Sequence, residues 1–242
     1  MTVSVFKDYE ALSEASADII VHQLRRQPES LFCFPSGDTP TGLLSILVGK
    51  VKSGEIDFSK STFVGLDEWV GMDEHVPGSC KHYVYHHFFI PAGIRPEQIT
   101  FFDATSKDLP QECAKVDAFL EARGPIDIVV VGVGLNGHIG LNEPGVSPEL
   151  PCHVVPLEAS TIQSAAKYFP ATTPLTHGIT LGLRHIRNAS TILVMASGEK
   201  KSEIMRKIVE GPVTPQVPGS IMQQQDNALI YLDEACASKL SK

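Results

Sequence analysis

The residues of this chain whose types and spacing could do chemistry fall in four short stretches, each following an apolar run. The densest is Val131-Gly-Val-Gly-Leu-Asn-Gly-His-Ile-Gly-Leu-Asn-Glu-Pro-Gly145. A histidine can gain and lose a proton near neutral pH, so His138 suits proton shuttling. A nearby carboxylate, Glu143, can orient the ring and stabilise its charged form, and Asn136 adds a further polar group beside it. A second stretch, Gly65-Leu-Asp-Glu-Trp-Val-Gly71, ends an apolar strand with Asp67 and Glu68. Neighbours on an extended strand face opposite ways, so one of the two can face a pocket and serve there as a general base.

The other two stretches have the chemistry of anion binding. In Pro35-Ser-Gly-Asp-Thr-Pro-Thr-Gly42, Thr39 before Pro40 reads as a hydroxyl N-cap followed by proline at the first helical position. Free N–H groups at a helix start favour a phosphate, and Gly37 beside Ser36 lets it approach the backbone. Asp38 would repel an anion, so its side chain must point away. In Ala196-Ser-Gly-Glu-Lys-Lys-Ser202 a helix is expected to begin near Glu199, with Lys200 and Lys201 in its first turn. Cations there oppose the helix dipole, which an anionic ligand would relieve.

Competing motifs fit less well. Gly132, Gly134 and Gly137 spell G-x-G-x-x-G after Ile126–Val131, the fingerprint of a dinucleotide loop. Such a loop should open a helix, whereas Gly140, Pro144, Gly145, Pro148 and Pro151 would break one. The stretch at 35–42 lacks the G-K-[ST] ending of a Walker A loop. No metal site is expected. The ligand spacing around His138 is wrong for zinc, and His82 and His86, four apart, lack both H-E-x-x-H and a nearby carboxylate. Cys33, Cys80, Cys113, Cys152 and Cys236 are odd in number, widely spaced and without C-x-x-C. They read as small buried hydrophobes in a reducing cytosol, not as a disulfide framework.

The elements that must position these residues alternate along the chain. Residues 9–26 carry Leu12, Ala15, Ile19 and Leu24 at near-helical spacing. Apolar runs follow at 31–34, 62–66, 98–102, 126–133, 153–157, 191–195 and 228–232, several of them continuous, as in strands buried on both faces. Helix-length segments separate them at 39–50, 78–89, 107–122, 158–169 and 199–210. This alternation predicts a three-layer αβα fold with a Rossmann-like, open, mostly parallel sheet and a single domain over residues 1–242. Ligands of such folds sit beyond the carboxyl ends of the strands, where the four stretches would share one pocket.

The 242 residues suffice for one full core, and 43% hydrophobic content is ordinary for a globular chain. No apolar run reaches the roughly 18 residues of a membrane span, and no signal peptide is expected. A net charge of −8 argues against a nucleic-acid partner. A local basic pocket could still bind a small anion.

Taken together and in this order, Pro-Ser-Gly-Asp-Thr-Pro at 35–40, Leu-Asp-Glu-Trp-Val at 66–70, the motif at 134–145 and Ser-Gly-Glu-Lys-Lys at 197–201 resemble the glucosamine-6-phosphate deaminase (isomerase) family. The resemblance spans about residues 31–233. It implies an amino-sugar 6-phosphate as small-molecule substrate, a ketose 6-phosphate and ammonia as products, and no cofactor. It also implies Asp67 as the base moving a proton between C2 and C1, and His138 as the acid/base that opens the sugar ring. Glu143 and Asn136 would orient and tune His138, while Ser36, Gly37, Asp38, Thr39 and Lys200 would hold the phosphate.

Many members carry Asn-Ser-Arg-Phe-Phe on a lid segment where this chain has Ala165-Ala-Lys-Tyr-Phe169, so Lys167 would be a non-bidentate substitute for the arginine. Cys152–Leu157 and His177–Leu183 are similar to proteins called galactosamine-6-phosphate isomerases, which leaves the substrate epimer open. The basic residues of the activator site in the allosteric hexamers are missing after Pro144, so no such activation is expected, and monomer and homo-oligomer both stay open. Two alternatives share the scaffold. A 6-phosphogluconolactonase would have Ala-Ser-Leu-Phe-Pro in place of Gly140-Leu-Asn-Glu-Pro144. A non-catalytic sugar-phosphate-sensing domain would come with a DNA-binding module, for which no helix-turn-helix or basic patch is seen.

Overall fold

A computed structural model describes residues 1–169 and 173–241. The chain begins with β1 (Thr2–Phe6), α1 (Tyr9–Arg26), β2 (Leu31–Phe34), α2 (Thr41–Lys52), β3 (Thr62–Gly65), β4 (Asp67–Trp69) and α3 (Cys80–Val84). It continues through β5 (Ile99–Thr100), α4 (Leu109–Arg123), β6 (Ile128–Val131), β7 (His153–Pro156), α5 (Ala159–Ala165) and β8 (His177–Thr180). The last elements are α6 (Leu183–Arg187), β9 (Thr191–Ala196), α7 (Ser202–Glu210), β10 (Ala228–Asp233) and α8 (Glu234–Ala237).

Seven strands form a parallel sheet in the order β1-β10-β9-β6-β2-β3-β5. The two-residue period of a strand sorts its side chains between two cores. Phe32, Phe34, Ile128, Val130, Leu193 and Met195 pack with Leu12, Ile20, Leu43 and Leu47 of α1 and α2. Their neighbours Leu31, Cys33, Val129, Val131, Ile192 and Val194 pack with Val116, Ile186, Met205 and Cys236 of α4, α6, α7 and α8. Both faces are covered, which is why these strands read as unbroken apolar runs.

The structure departs from the sequence expectations in four places. First, His153–Pro156 is a strand outside the main sheet: β7 pairs antiparallel with β8, and β8 with β4. Second, β1 and β8 read as no strand. β1 is a half-exposed edge, and β8, His-Gly-Ile-Thr, has one large apolar side chain. Third, α2 starts at Thr41 with Pro40 in the cap position and no side-chain cap, so Thr39 is not the N-cap. The hydroxyl of Tyr9 serves that helix end instead, accepting from Gly42 N–H at 2.8 Å and donating to the Thr39 carbonyl at 3.0 Å. Fourth, three expected helices are shorter or broken. Ser79 caps α3, which passes into a π-helical turn at Tyr85–Phe89; α5 ends at Ala165; and a 3₁₀ turn at Glu199–Lys201 precedes α7.

Candidate active site

Strand order reverses between β2 and β6, and a cleft of about 1040 Å³ opens beyond their carboxyl ends. This is where an open α/β sheet binds its ligand. Ser36, Gly37, Asp38 and Thr39 follow β2, Asn136 and His138 follow β6, and Lys200 follows β9. Asp67 opens β4, and Lys167 lies just after α5. All of these line the cleft; Glu143 is buried behind them.

Asp67 and Glu68 do face opposite ways. The chain leaves β3 at Gly65, and β4 turns Asp67 into the cleft while pairing it with Thr180 of β8. The Asp67 side chain is buried, and burial pushes its pKa up to about 6 against the pull of the His138 charge and a Cys80 hydrogen bond. A carboxyl poised there is ionised at neutral pH and can still take up a proton, as a general base requires. Glu68 has no exposure and points at α3. Its carboxylate accepts from the N–H groups of Trp69 (2.8 Å), Cys80 (2.9 Å) and Lys81 (2.7 Å). It therefore serves the positive end of that helix and fixes the strand that presents Asp67. Burial nonetheless outweighs these bonds and lifts the Glu68 carboxyl to about 7.

The loop after β6 and Thr161 of α5 together hold His138. Glu143 Oε2 lies 3.3 Å from His138 Nδ1, and Thr161 Oγ1 lies 3.2 Å from the same nitrogen. Asn136 donates to Glu143 Oε2 at 2.8 Å and accepts from the His138 N–H at 3.1 Å. Glu143 Oε1 accepts from the Glu158 N–H, at the start of α5. Burial raises the Glu143 carboxyl, but the hydrogen bond and charge of His138, with bonds from Thr161 and Asn136, bring it below its ordinary value. An ionised Glu143 orients the ring with Nε2 away from it. The glycines serve this arrangement. A Cβ on Gly134 would lie 2.4 Å from His138 Nε2, and Gly137 turns the chain with φ +89°. No helix follows among the described residues 132–152, so the G-x-G-x-x-G spacing does not build a dinucleotide loop.

The opposite wall suits an anion. Among the described residues, none accepts from the backbone N–H groups of Gly37, Asp38 or Thr39. The Asp38 carboxylate is turned outward, paired with Lys167 and accepting from the Tyr168 hydroxyl at 3.1 Å. The Lys167 hydrogen bond in particular keeps the Asp38 carboxyl below its usual range. Lys200 is exposed at the rim. Its neighbour Lys201 reaches Thr39 Oγ1 at 3.1 Å. Burial pulls the Lys201 pKa down, with partial compensation from Cys236 and Asp38. A desolvated ammonium beside free N–H groups is a strong anion anchor.

The structure sets Lys201 against Thr39 and leaves Lys200, the lysine expected from the sequence, at the rim of the same cleft. Thr161, Tyr168 and Cys80, not among the expected site residues, meet His138, Asp38 and Asp67 from 23, 130 and 13 residues away respectively. Only Lys201 had a signal, its place beside a helix start.

The same arrangement of chain occurs in known proteins. A family model described as glucosamine-6-phosphate isomerases/6-phosphogluconolactonase matches residues 7–231. Glucosamine-6-phosphate deaminase 2 of Bacillus subtilis (strain 168) is 36% identical over 244 residues, covering 99% of this chain and 98% of its own. The glucosamine-6-phosphate deaminase of Clostridium acetobutylicum is 34% identical over 241 residues, covering 99% and 100%. The solved structure of a monomeric glucosamine-6-phosphate deaminase superposes with a TM-score of 0.95 at 31% identity, over 98% of this chain and 99% of that one. The 6-phosphogluconolactonase of Trypanosoma brucei shares the fold, with a TM-score of 0.77 at 18% identity over 99% and 98%. This chain belongs to the glucosamine-6-phosphate isomerase/6-phosphogluconolactonase family.

Proposed function

We propose that the enzyme converts an amino-sugar 6-phosphate, glucosamine 6-phosphate in the first instance, to a ketose 6-phosphate and ammonia. One observation carries the reading: a buried carboxylate and an oriented imidazole share a cleft whose far wall offers free N–H groups and a half-buried lysine. The deaminase relatives support it at 34–36% identity over nearly the whole chain.

In this reading the phosphate docks on Gly37–Thr39 and Lys201, with Ser36, Lys200 and Lys167 around it. Binding energy at that remote group holds C1 and C2 against Asp67. His138, steadied by Glu143 and Asn136, moves the proton that opens the ring. Asp67 removes the C2 proton and returns it to C1, which converts the open-chain amino aldose to a ketimine. Water adds to the ketimine carbon, and the C–N bond breaks to give the ketose phosphate and ammonia. No electrons leave the substrate, so no redox partner enters the balance.

A lactonase would need only hydrolysis of an ester. Its proteins match this chain at 18% identity, in fold alone, and Gly140-Leu-Asn-Glu-Pro144 departs from the sequence expected there. Galactosamine 6-phosphate, the C4 epimer, is the second substrate of the reading, on the strength of Cys152–Leu157 and His177–Leu183. The test supplies each hexosamine phosphate to purified enzyme and follows ammonia and ketose phosphate together. Absence of turnover with both would sink the proposal.

A further inference from the structure

Away from the cleft, three donors of different chemistry converge: the carboxylate of Asp117 on α4, the thiol of Cys152 just before β7, and the imidazole of His185 on α6. One ligand atom from each lies within 4.8 Å of the other two. None of the three lines the cleft. We propose that they form a binding site for a zinc-type divalent cation, which joins these three elements.

The donor set is that of a borderline-soft metal. Thiolate, imidazole and carboxylate together select zinc over calcium or magnesium, which take oxygen donors. Zinc bonds of about 2.0–2.3 Å put tetrahedral ligand atoms roughly 3.3–3.8 Å apart. The side chains therefore need shift little to close on an ion. Cys152 is 5% exposed, and the side chains of His185 and Asp117 are 10% and 19% exposed. The partial opening on the Asp117 side leaves a fourth position for water.

The trio is already joined by hydrogen bonds. His185 Nε2 and Asp117 Oδ1 lie 2.5 Å apart, and the same oxygen accepts from the Cys152 N–H at 3.0 Å. Burial, and then the Asp117 carboxylate, hold the Cys152 thiol firmly protonated. A divalent cation reverses that relation by standing between the two acidic groups. On binding, the Cys152 S–H bond breaks and its proton goes to solvent. The His185–Asp117 hydrogen bond opens, the proton that Nε2 gave to it moves by way of solvent to Nδ1, and bonds from the metal to sulfur, nitrogen and oxygen replace both.

The site's place in the fold suggests what it does. His153, next to Cys152, is in register with Thr180, which is in register with Asp67. A cation at Cys152 would tie the outer strand of this small sheet to α4 and α6, two ladders from the base. The expected effect is on rigidity and stability, and the site stands independently of the substrate reading above.

The test uses chelator-stripped enzyme titrated with Zn²⁺ by calorimetry and with Co²⁺ by absorption. One ion per chain is expected, with release of at least one proton per zinc, a thiolate-to-cobalt charge-transfer band and a higher melting temperature. Cys152→Ser should remove the band. His185→Asn should weaken binding at least as much as the roughly 10–100-fold cost of losing an outer-shell partner. Failure of the wild type to bind at micromolar zinc would overturn the proposal. So would a charge-transfer band that persists in Cys152→Ser, since the ion would then sit on another thiol. Circular dichroism of each variant separates loss of a ligand from loss of fold.

Discussion

The side-chain amide of Asn136 donates to Glu143 Oε2 at 2.8 Å, and that same oxygen lies 3.3 Å from His138 Nδ1. A neutral amide and an ionised carboxylate thus share the task of holding one imidazole. Asn136→Asp would put a second negative charge beside Glu143 and His138. A second negative charge beside an imidazole favours its charged form. His138 should therefore stay protonated to higher pH than in the wild type, as read by NMR titration of its ring. The alkaline side of the rate profile should move the same way. An unchanged ring midpoint would mean that Asn136 does not govern the charge on His138.

Asp67 is the group whose pKa bears most directly on turnover. In the proposed reaction it must be ionised to accept the C2 proton, and burial pushes its carboxyl up to about 6. The rate should fall as pH drops through about 6, with half the neutral activity near that value. Asp67→Asn should lower kcat by about 10²–10⁴-fold, the range of a lost general base, and abolish exchange of the C2 proton with solvent. Binding of inorganic phosphate should persist, since Asp67 is not on the anion wall. Exchange at the wild-type rate would remove Asp67 as the base.

The adjacent lysines give a paired experiment. Lys201 is half-buried against Thr39, whereas Lys200 stands in solvent at the rim. A hydrogen bond to a charged group contributes about 1.5–3 kcal/mol, which is roughly 10–100-fold in binding. Lys201→Ala should raise KM and weaken phosphate binding by about that factor, and Lys200→Ala should do so only a few-fold, as an exposed charge. The reverse order would assign the anchor to the rim.

These outcomes also show what a linear sequence can carry. His138, Glu143 and Asn136 lie within eight residues and meet through one loop, so their grouping was readable from spacing alone. The alternating faces of β4 separated Asp67 from Glu68, as extended backbone dictates. The choice between Lys200 and Lys201 depended on the rotation of a single turn. That turn is set by Gly198, whose N–H bonds both oxygens of Asp233, 35 residues away. Thr161 reaches His138 only because the Glu158 N–H is fixed to Glu143. The Asp117, Cys152 and His185 trio has intervals of 35 and 33 residues, far outside the short spacings by which metal motifs are recognised. In each case the missing information was tertiary.

Glu68 makes the last prediction, one about stability. Its carboxyl is raised from 4.5 to about 7 by burial, so the folded chain holds this proton more tightly than the unfolded one. By linkage, Glu68 lowers stability as pH rises from about 4.5 to about 7, by about 3 kcal/mol in all. Asp67, raised from 3.8 to about 6, adds a slope of the same sign over a lower range. The wild type should therefore lose melting temperature between pH 5 and pH 7 at constant ionic strength. Glu68→Gln should flatten the upper part of that slope, because nothing is left there to ionise. Glu68→Ala should be less stable at every pH by about 3 kcal/mol or more, since it strands the N–H groups of Trp69, Cys80 and Lys81 without an acceptor. A wild-type melting temperature that rises over this range would mean that the buried carboxylates ionise before folding resists it, and that the three N–H bonds outweigh desolvation at Glu68.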